Sequence, residues 1–266
     1  MSVALRMALD RDPDVALATL ATAGTALVVA LVAAAAETPS RGLHLSSAWP
    51  FLLAGLLSPG AAQILVTVAI RDSGASRVSM VFGTAPLVSV TIALVFLNEP
   101  ASAPLILGAV LIVAGGVELA RERERPAHLN RLGLLLAFAG ATLFAIRDNL
   151  VRHLAVGTTV VPPAVAAAAA LLGGTVLIAA WAREGIGRRW IRFLPAGVLF
   201  GASYVSLFEA YYRGRVTIVA PLVAVESLVG VALSALLLRE SEHVGKRLLV
   251  GAALIVAGGA LIGAFR

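Results

Sequence analysis

Residues 108–116 read GAVLIVAGG and residues 251–259 read GAALIVAGG. Eight of the nine positions are identical, 143 residues apart in a chain of 266. Moving outward, the correspondence persists. The stretch from Val78 to Glu99 pairs with Val219 to Glu240 at an offset of 141. FLLAG (51–55) pairs with FLPAG (193–197), and VAIRDSGASRVS (68–79) with EAYYRGRVT (209–217) across a shorter loop. ATAGTALVVALVA (21–33) pairs with ALLGGTVLIAAWA (170–182). The repeat therefore covers nearly the whole chain.

What repeats is apolar. Hydrophobic residues make up 59% of the chain, charged ones only 14%, and the mean hydropathy is +0.94. A soluble domain has about 45–50% apolar and about 25% charged residues. The excess falls in nine runs of 17 to 24 residues, about 15–36, 49–70, 78–97, 104–120, 131–154, 162–182, 193–212, 216–238 and 247–265. A run of about 20 apolar residues spans a bilayer as a helix, the only open-chain structure that satisfies its own backbone there. The expected fold is an all-α polytopic membrane protein of nine transmembrane helices in two repeats, residues 1–125 with four helices and 126–266 with five. Repeats with an odd number of spans lie in opposite orientations, an architecture characteristic of secondary transporters.

The first repeat lacks a counterpart to segment 131–154. The tail of that segment, LVRHLAVGTTVVPP (150–163), matches VALRMALDRDP (3–13), with Arg6 opposite Arg152. The chain is thus expected to begin where a first helix is ending. No secretory signal precedes the first span, since residues 1–14 are polar and mixed in charge.

Several chemistries lack their residues. With no cysteine there is no disulfide or thiolate site. No Walker A loop, HExxH, GxSxG or paired acidic metal motif is present, so no ATP-driven step, enzymatic activity, metal or cofactor is expected. The net charge of +6 sits in loops between spans, the topology signal of membrane proteins, and not in a nucleic-acid patch.

The order and spacing of several weak motifs resemble the EamA-type members of the drug/metabolite transporter superfamily. These are Ala69-Ile70-Arg71 and Ala210-Tyr211-Tyr212-Arg213 before short loops, and Pro86 in TAPLVS thirteen residues before Glu99. Ala220-Pro221-Leu222, Val225-Glu226 and the glycine pairs complete the set. The resemblance implies ten helices in two inverted five-helix repeats around a substrate cavity, and it covers about nine of them. Two departures stand out: Ser227 occupies the place equivalent to Pro86, and the first cavity-lining helix is missing.

Ionisable residues inside a membrane are functional candidates by default. Glu226, near the middle of 216–238, is either the site of an amine-bearing substrate or exchangeable proton, or a carboxylate bonded to a neighbouring helix. Arg147, Asp148 and Asn149 form a cluster that the resemblance places on the cavity. There Arg147 would meet a substrate carboxylate with the other two orienting it. Alternatively this is the interfacial end of the helix, where arginine snorkels to headgroups. Gln63 and Tyr204 hold nearly equivalent repeat positions, as expected of residues facing a shared axis, and Ser203 lies beside them. Their alternative is interhelical hydrogen bonding. Glu209 with Arg213, and the helix-closing Glu99 and Glu240, read as structural. Pro59-Gly60 opens or kinks its helix, a pointer to the cavity.

Loop basic residues divide 15 to five between the two faces, Arg41, Arg152, Arg213, Arg215 and Arg266 being the minority. The positive-inside rule then puts the N-terminus in the cytoplasm and the C-terminus outside, whereas the resemblance implies a cytoplasmic C-terminus. The expected function is export of a small polar or amphipathic metabolite across the cell membrane by alternating access, with proton coupling at Glu226 or Asp148. The competing expectation is a non-transporting subunit or a lipid-linked-sugar flippase component. A central cavity favours transport, and a solid bundle favours the subunit. The expected partners are a small-molecule substrate and the lipid bilayer, with protons and a second copy of the chain (a homodimer) as candidates.

Overall fold

A computed structural model describes residues 1–97, 102–120, 131–157, 160–182, 188–223, 225–237 and 246–264. Among these residues the chain is helical, without strands. The first half comprises α1 (Ser2–Arg11), α2 (Val15–Arg41), α3 (Trp49–Gly55), α4 (Ala62–Ser73), α5 (Ala75–Gly83), α6 (Ala85–Phe96) and α7 (Ala103–Ala120). The second comprises α8 (Arg131–Gly157), α9 (Pro163–Ala182), α10 (Leu194–Arg213), α11 (Val216–Val223), α12 (Val225–Leu237) and α13 (Lys246–Ala264). Six helical stretches are long and apolar enough to cross a membrane, and two shorter apolar helices lie at Ala103–Gly115 and Leu249–Ile262. The described residues of each of the nine apolar runs fall largely on these helices, and runs 49–70 and 78–97 each span a pair divided by a break.

The repeated nonamers are packed against each other. A methyl group built on Gly258 would lie 2.5 Å from the Gly108 carbonyl, and one on Gly115 would lie 2.5 Å from the Gly251 carbonyl. Gly108 corresponds to Gly251 and Gly115 to Gly258, so each of these contacts is the other's repeat equivalent. Such pairing requires α7 and α13 to run antiparallel. Small residues allow this approach where lipid provides no hydrophobic drive between helices. The same exchange relates the bundle's other seams. Gly55 on α3 abuts the Ala170 backbone of α9, and its counterpart Gly197 on α10 abuts Thr22 and Thr25 of α2.

Residues 3–13, which match the tail of segment 131–154 in sequence, lie on the ordered helix α1 and its C-terminal end. Its Arg6 donates from Nη1 to the Ile70 and Arg71 carbonyls at the end of α4, at 3.0 and 2.7 Å. Arg152 on α8 donates to the Tyr211 and Tyr212 carbonyls at the end of α10, at 3.0 and 3.4 Å. The last carbonyls of a helix have no partner within it and carry its negative end, so an arginine suits both places. Thus α1 stands in the first half where the last turns of α8 stand in the second.

Two helices are interrupted among the described residues. Between α3 and α4 the chain makes a wide π turn, Leu56–Ala61, with Ser58 in extended conformation (φ −149°, ψ 118°). The second-repeat counterpart of this helix, α10, is continuous. The other interruption lies between Gly83 at the end of α5 and Ala85 at the start of α6. In the second half α11 and α12 flank residue 224, which lies outside the described residues. Glu99 and Glu240 lie outside the described residues.

Gly258→Ala is expected to lower stability by about 1–3 kcal/mol, since the backbone carbonyl it meets cannot move aside. Gly24 of α2 has nothing within 4 Å of the added methyl. Gly24→Ala should be neutral or raise stability by up to about 1 kcal/mol through helix propensity. Thermal unfolding of the detergent-solubilised variants checks both.

Candidate functional site

A cavity of about 470 Å³ lies where α5, α6, α11 and α12 approach α8 and α10. Phe82, Gly83, Pro86 and Ser89 line it from the first repeat, and Leu222, Val223 and Glu226 from the second. Phe144, Arg147 and Asp148 of α8 face Phe200, Ser203, Tyr204 and Leu207 of α10 across it. The wall is mainly apolar with a few convergent polar groups, the usual composition of a small-molecule site.

Arg147 is the largest fully buried side chain, 2% exposed. It has not snorkelled to a headgroup, so the interfacial reading of this residue does not hold. Its Nη2 is 2.8 Å from Asp148 Oδ1, and the Tyr211 hydroxyl donates to Asp148 Oδ2 at 2.8 Å. The guanidinium lies over the Tyr204 ring at 4.6 Å, with Phe144 at 5.2 Å and Phe208 at 5.7 Å. Stacking on aromatic faces and a carboxylate partner are what a buried arginine requires. Nε and Nη1 have no hydrogen-bond partner among the described residues.

Glu226 lies on α12. Its side chain is exposed on the cavity. No ion pair or hydrogen bond of Glu226 is found among the described residues. The alternative of a carboxylate bonded to a neighbouring helix thus finds no partner there.

Five of the sequence candidates, Arg147, Asp148, Ser203, Tyr204 and Glu226, line this cavity. Asn149 and Gln63 do not. Asn149 points away, donating from Nδ2 to the Ser89 and Ala145 carbonyls at 3.1 and 2.9 Å. Gln63 is fully buried behind the wall. Glu209 binds Arg213 and lies 3.4 Å from Arg41, an exposed cluster at the bundle's edge.

Apart from Tyr204, the aromatic residues around the arginine carried no expectation from the sequence. Phe200, Tyr204, Phe208 and Tyr211 recur at helical spacing along one face of α10, and Phe144 precedes Arg147 by three positions. That stripe was legible as a face. Its role around a buried arginine was not, because an aromatic stripe alone is equally consistent with core packing.

A bilayer-spanning helical bundle enclosing a cavity with a few buried polar groups has the build of a membrane transporter. The EamA-like transporter family model matches residues 1–118 and 131–264, and the chain belongs to that family. It is therefore a membrane transporter of the drug/metabolite type. Among solved chains that match, one crystal structure has a TM-score of 0.71 at 19% sequence identity. The match covers 97% of this chain and 89% of that one, a likeness of fold. No curated protein matches the sequence.

Arg147→Gln leaves Asp148 buried with only Tyr211 beside it. Removing one partner of a buried ion pair costs about 3–5 kcal/mol, so a large fall in thermal midpoint is expected. Arg147→Gln combined with Asp148→Asn should recover at least half of that fall. A double variant no more stable than the single one would show the pair is not coupled.

Proposed function

We propose that the protein is a secondary transporter exporting a small amphipathic metabolite by alternating access, with proton exchange at Glu226. The observation that carries this reading is a cavity, lined by corresponding helices of the two repeats, that holds an acid with no ion pair or hydrogen bond among the described residues. The charged neighbour of that acid is the N-terminal ammonium of Met1. Asp148 is committed to Arg147 and Tyr211, which leaves Glu226 as the acid free to exchange. A charged Glu226 attracts an amine, and a protonated one releases it. The apolar wall from Phe82, Phe144, Phe200 and Leu207 suits the rest of an amphipathic molecule.

In this reading residues 1–125 and 126–266 are the units that rock around the site, which lies between them as in other inverted-repeat transporters. The surplus of basic loop residues on the face of Arg71, Arg189 and Arg247 orients that face to the cytoplasm. The membrane is the cell membrane. The cavity also speaks against the non-transporting subunit, for which a solid bundle is the better build.

The test uses proteoliposomes enclosing a pH-sensitive dye, given 2-phenylethylamine as an amphipathic amine and toluene-sulfonate as an anionic control. Wild-type protein should move protons when the amine is added and not with the sulfonate. Glu226→Gln should abolish the response, and Glu209→Gln, in an exposed cluster of low energetic weight, should retain it. Amine binding to wild type should weaken as the pH falls and Glu226 takes up a proton. Proton movement undiminished in Glu226→Gln would remove this residue from the mechanism.

A further inference from the structure

The break between α3 and α4 has no match in the second half, and the groups around it are unequally satisfied. Ser58, in its extended conformation, is fully buried, and its carbonyl is not taken up by a regular helical turn. In the membrane interior such a group must find a partner within the protein. It does: the Tyr204 hydroxyl donates to it at 3.0 Å, while the Tyr204 ring carries the Arg147 guanidinium at 4.6 Å. One side chain thus touches both the cavity's buried cation and the interrupted helix.

Counted back from the pairing of Val68 with Glu209, an offset of 141 relates Gln63 to Tyr204 and Ser58 to Leu199. Gly55 and Gly197, before the break, pair at 142, so the first half carries one extra residue across it. Gln63 is 0% exposed, and neither its amide nitrogen nor its amide oxygen has a partner among the described residues. A buried amide left wholly unpaired in a membrane bundle calls for a reason. Its symmetry-related acceptor would be the Leu199 carbonyl, which lies inside the continuous α10.

We propose that Gln63 and Tyr204 are positioning residues that cap, in turn, two equivalent hinges. In the present state the first-half helix is open at Ser58 and Tyr204 caps it. In the opposite-facing state α10 opens near Leu199–Gly201, and Gln63 donates to the freed Leu199 carbonyl. The proposal rests on the alternating-access reading above, because inverted repeats change state by exchanging conformations.

The second hinge is already softened. Gly197 and Gly201 lie within it, and the Ser203 hydroxyl donates to the Phe200 carbonyl at 2.9 Å, a back-bond of the kind that bends helices. Pro59 has no N–H to donate into the turn, which accounts for the first hinge being the open one here. Phe200, at the equivalent position, imposes no such bias.

Gln63→Leu removes a cap used only in the other state, together with an unpaired polar group. Its thermal midpoint in detergent should equal or exceed wild type. Amide hydrogen exchange at Ser203 should slow, and amine-driven proton movement with 2-phenylethylamine should fall by about tenfold or more. Tyr204→Phe keeps the ring under Arg147 but leaves the Ser58 carbonyl unpaired. It should lower the midpoint and speed exchange at Ser203, an effect of opposite sign. A merely structural Gln63 would not combine a retained midpoint with lost transport.

Wild-type transport and wild-type exchange in Gln63→Leu would overturn the proposal, as would a lowered midpoint. Should wild-type protein move no protons with the amine, the transport reading fails. The exchange measurement, made on purified protein, still decides the hinge.

Discussion

Inside a bilayer no backbone N–H or C=O can turn to water, and that constraint orders this molecule from end to end. It makes every span a helix. It also requires each departure from helix to be met by a specific side chain: Tyr204 at the Ser58 carbonyl, Arg6 at the end of α4 and Arg152 at the end of α10. Helix ends and breaks therefore gather polar residues, and the cavity lies between corresponding helices of the two repeats. A close-packed seam elsewhere lets the structure hold this opening. The antiparallel glycine contacts of α7 and α13 join the halves without polar groups.

Arg147 shows how charge is handled under the same constraint. Its cation is balanced by Asp148, held over three aromatic rings, and kept within reach of the cavity. A neutralised pair of this kind contributes shape and dipoles more than net charge. Glu226, exposed on the cavity and without an ion pair among the described residues, is the acid to which we assign the proposed proton exchange. Its charged neighbour is the N-terminal ammonium of Met1, whereas Asp148 is held by Arg147 and Tyr211.

Most of the architecture was legible in the sequence, because hydropathy and self-similarity are properties of whole segments. The paired nonamers announced a duplicated scaffold, and close packing by small residues was the natural reading. That each copy's neighbour is the other copy needed the three-dimensional arrangement. Helix α1 escaped the hydropathy reading because it is ten residues long and amphipathic. Alignment of Arg6 with Arg152 had nonetheless marked its place. Side-chain direction was the least legible property. Asn149 is adjacent to Asp148 in sequence yet turns to the Ser89 carbonyl. Gln63 shares a repeat position with Tyr204 yet lies off the cavity, since its partner helix is unbroken where that of Tyr204 is open.

Alternating access, as proposed above, means that one cavity opens to the two sides of the membrane in turn. The chain has no cysteine, so a single thiol at the cavity wall, Ser206→Cys, reports accessibility without background. The measurement is labelling of that thiol in oriented vesicles by a membrane-impermeant maleimide. It is applied from one side and then the other, at high and at low pH. The account predicts labelling from both sides, with the favoured side changing as Glu226 takes up or gives up its proton. Labelling from one side only, under every condition, would contradict it.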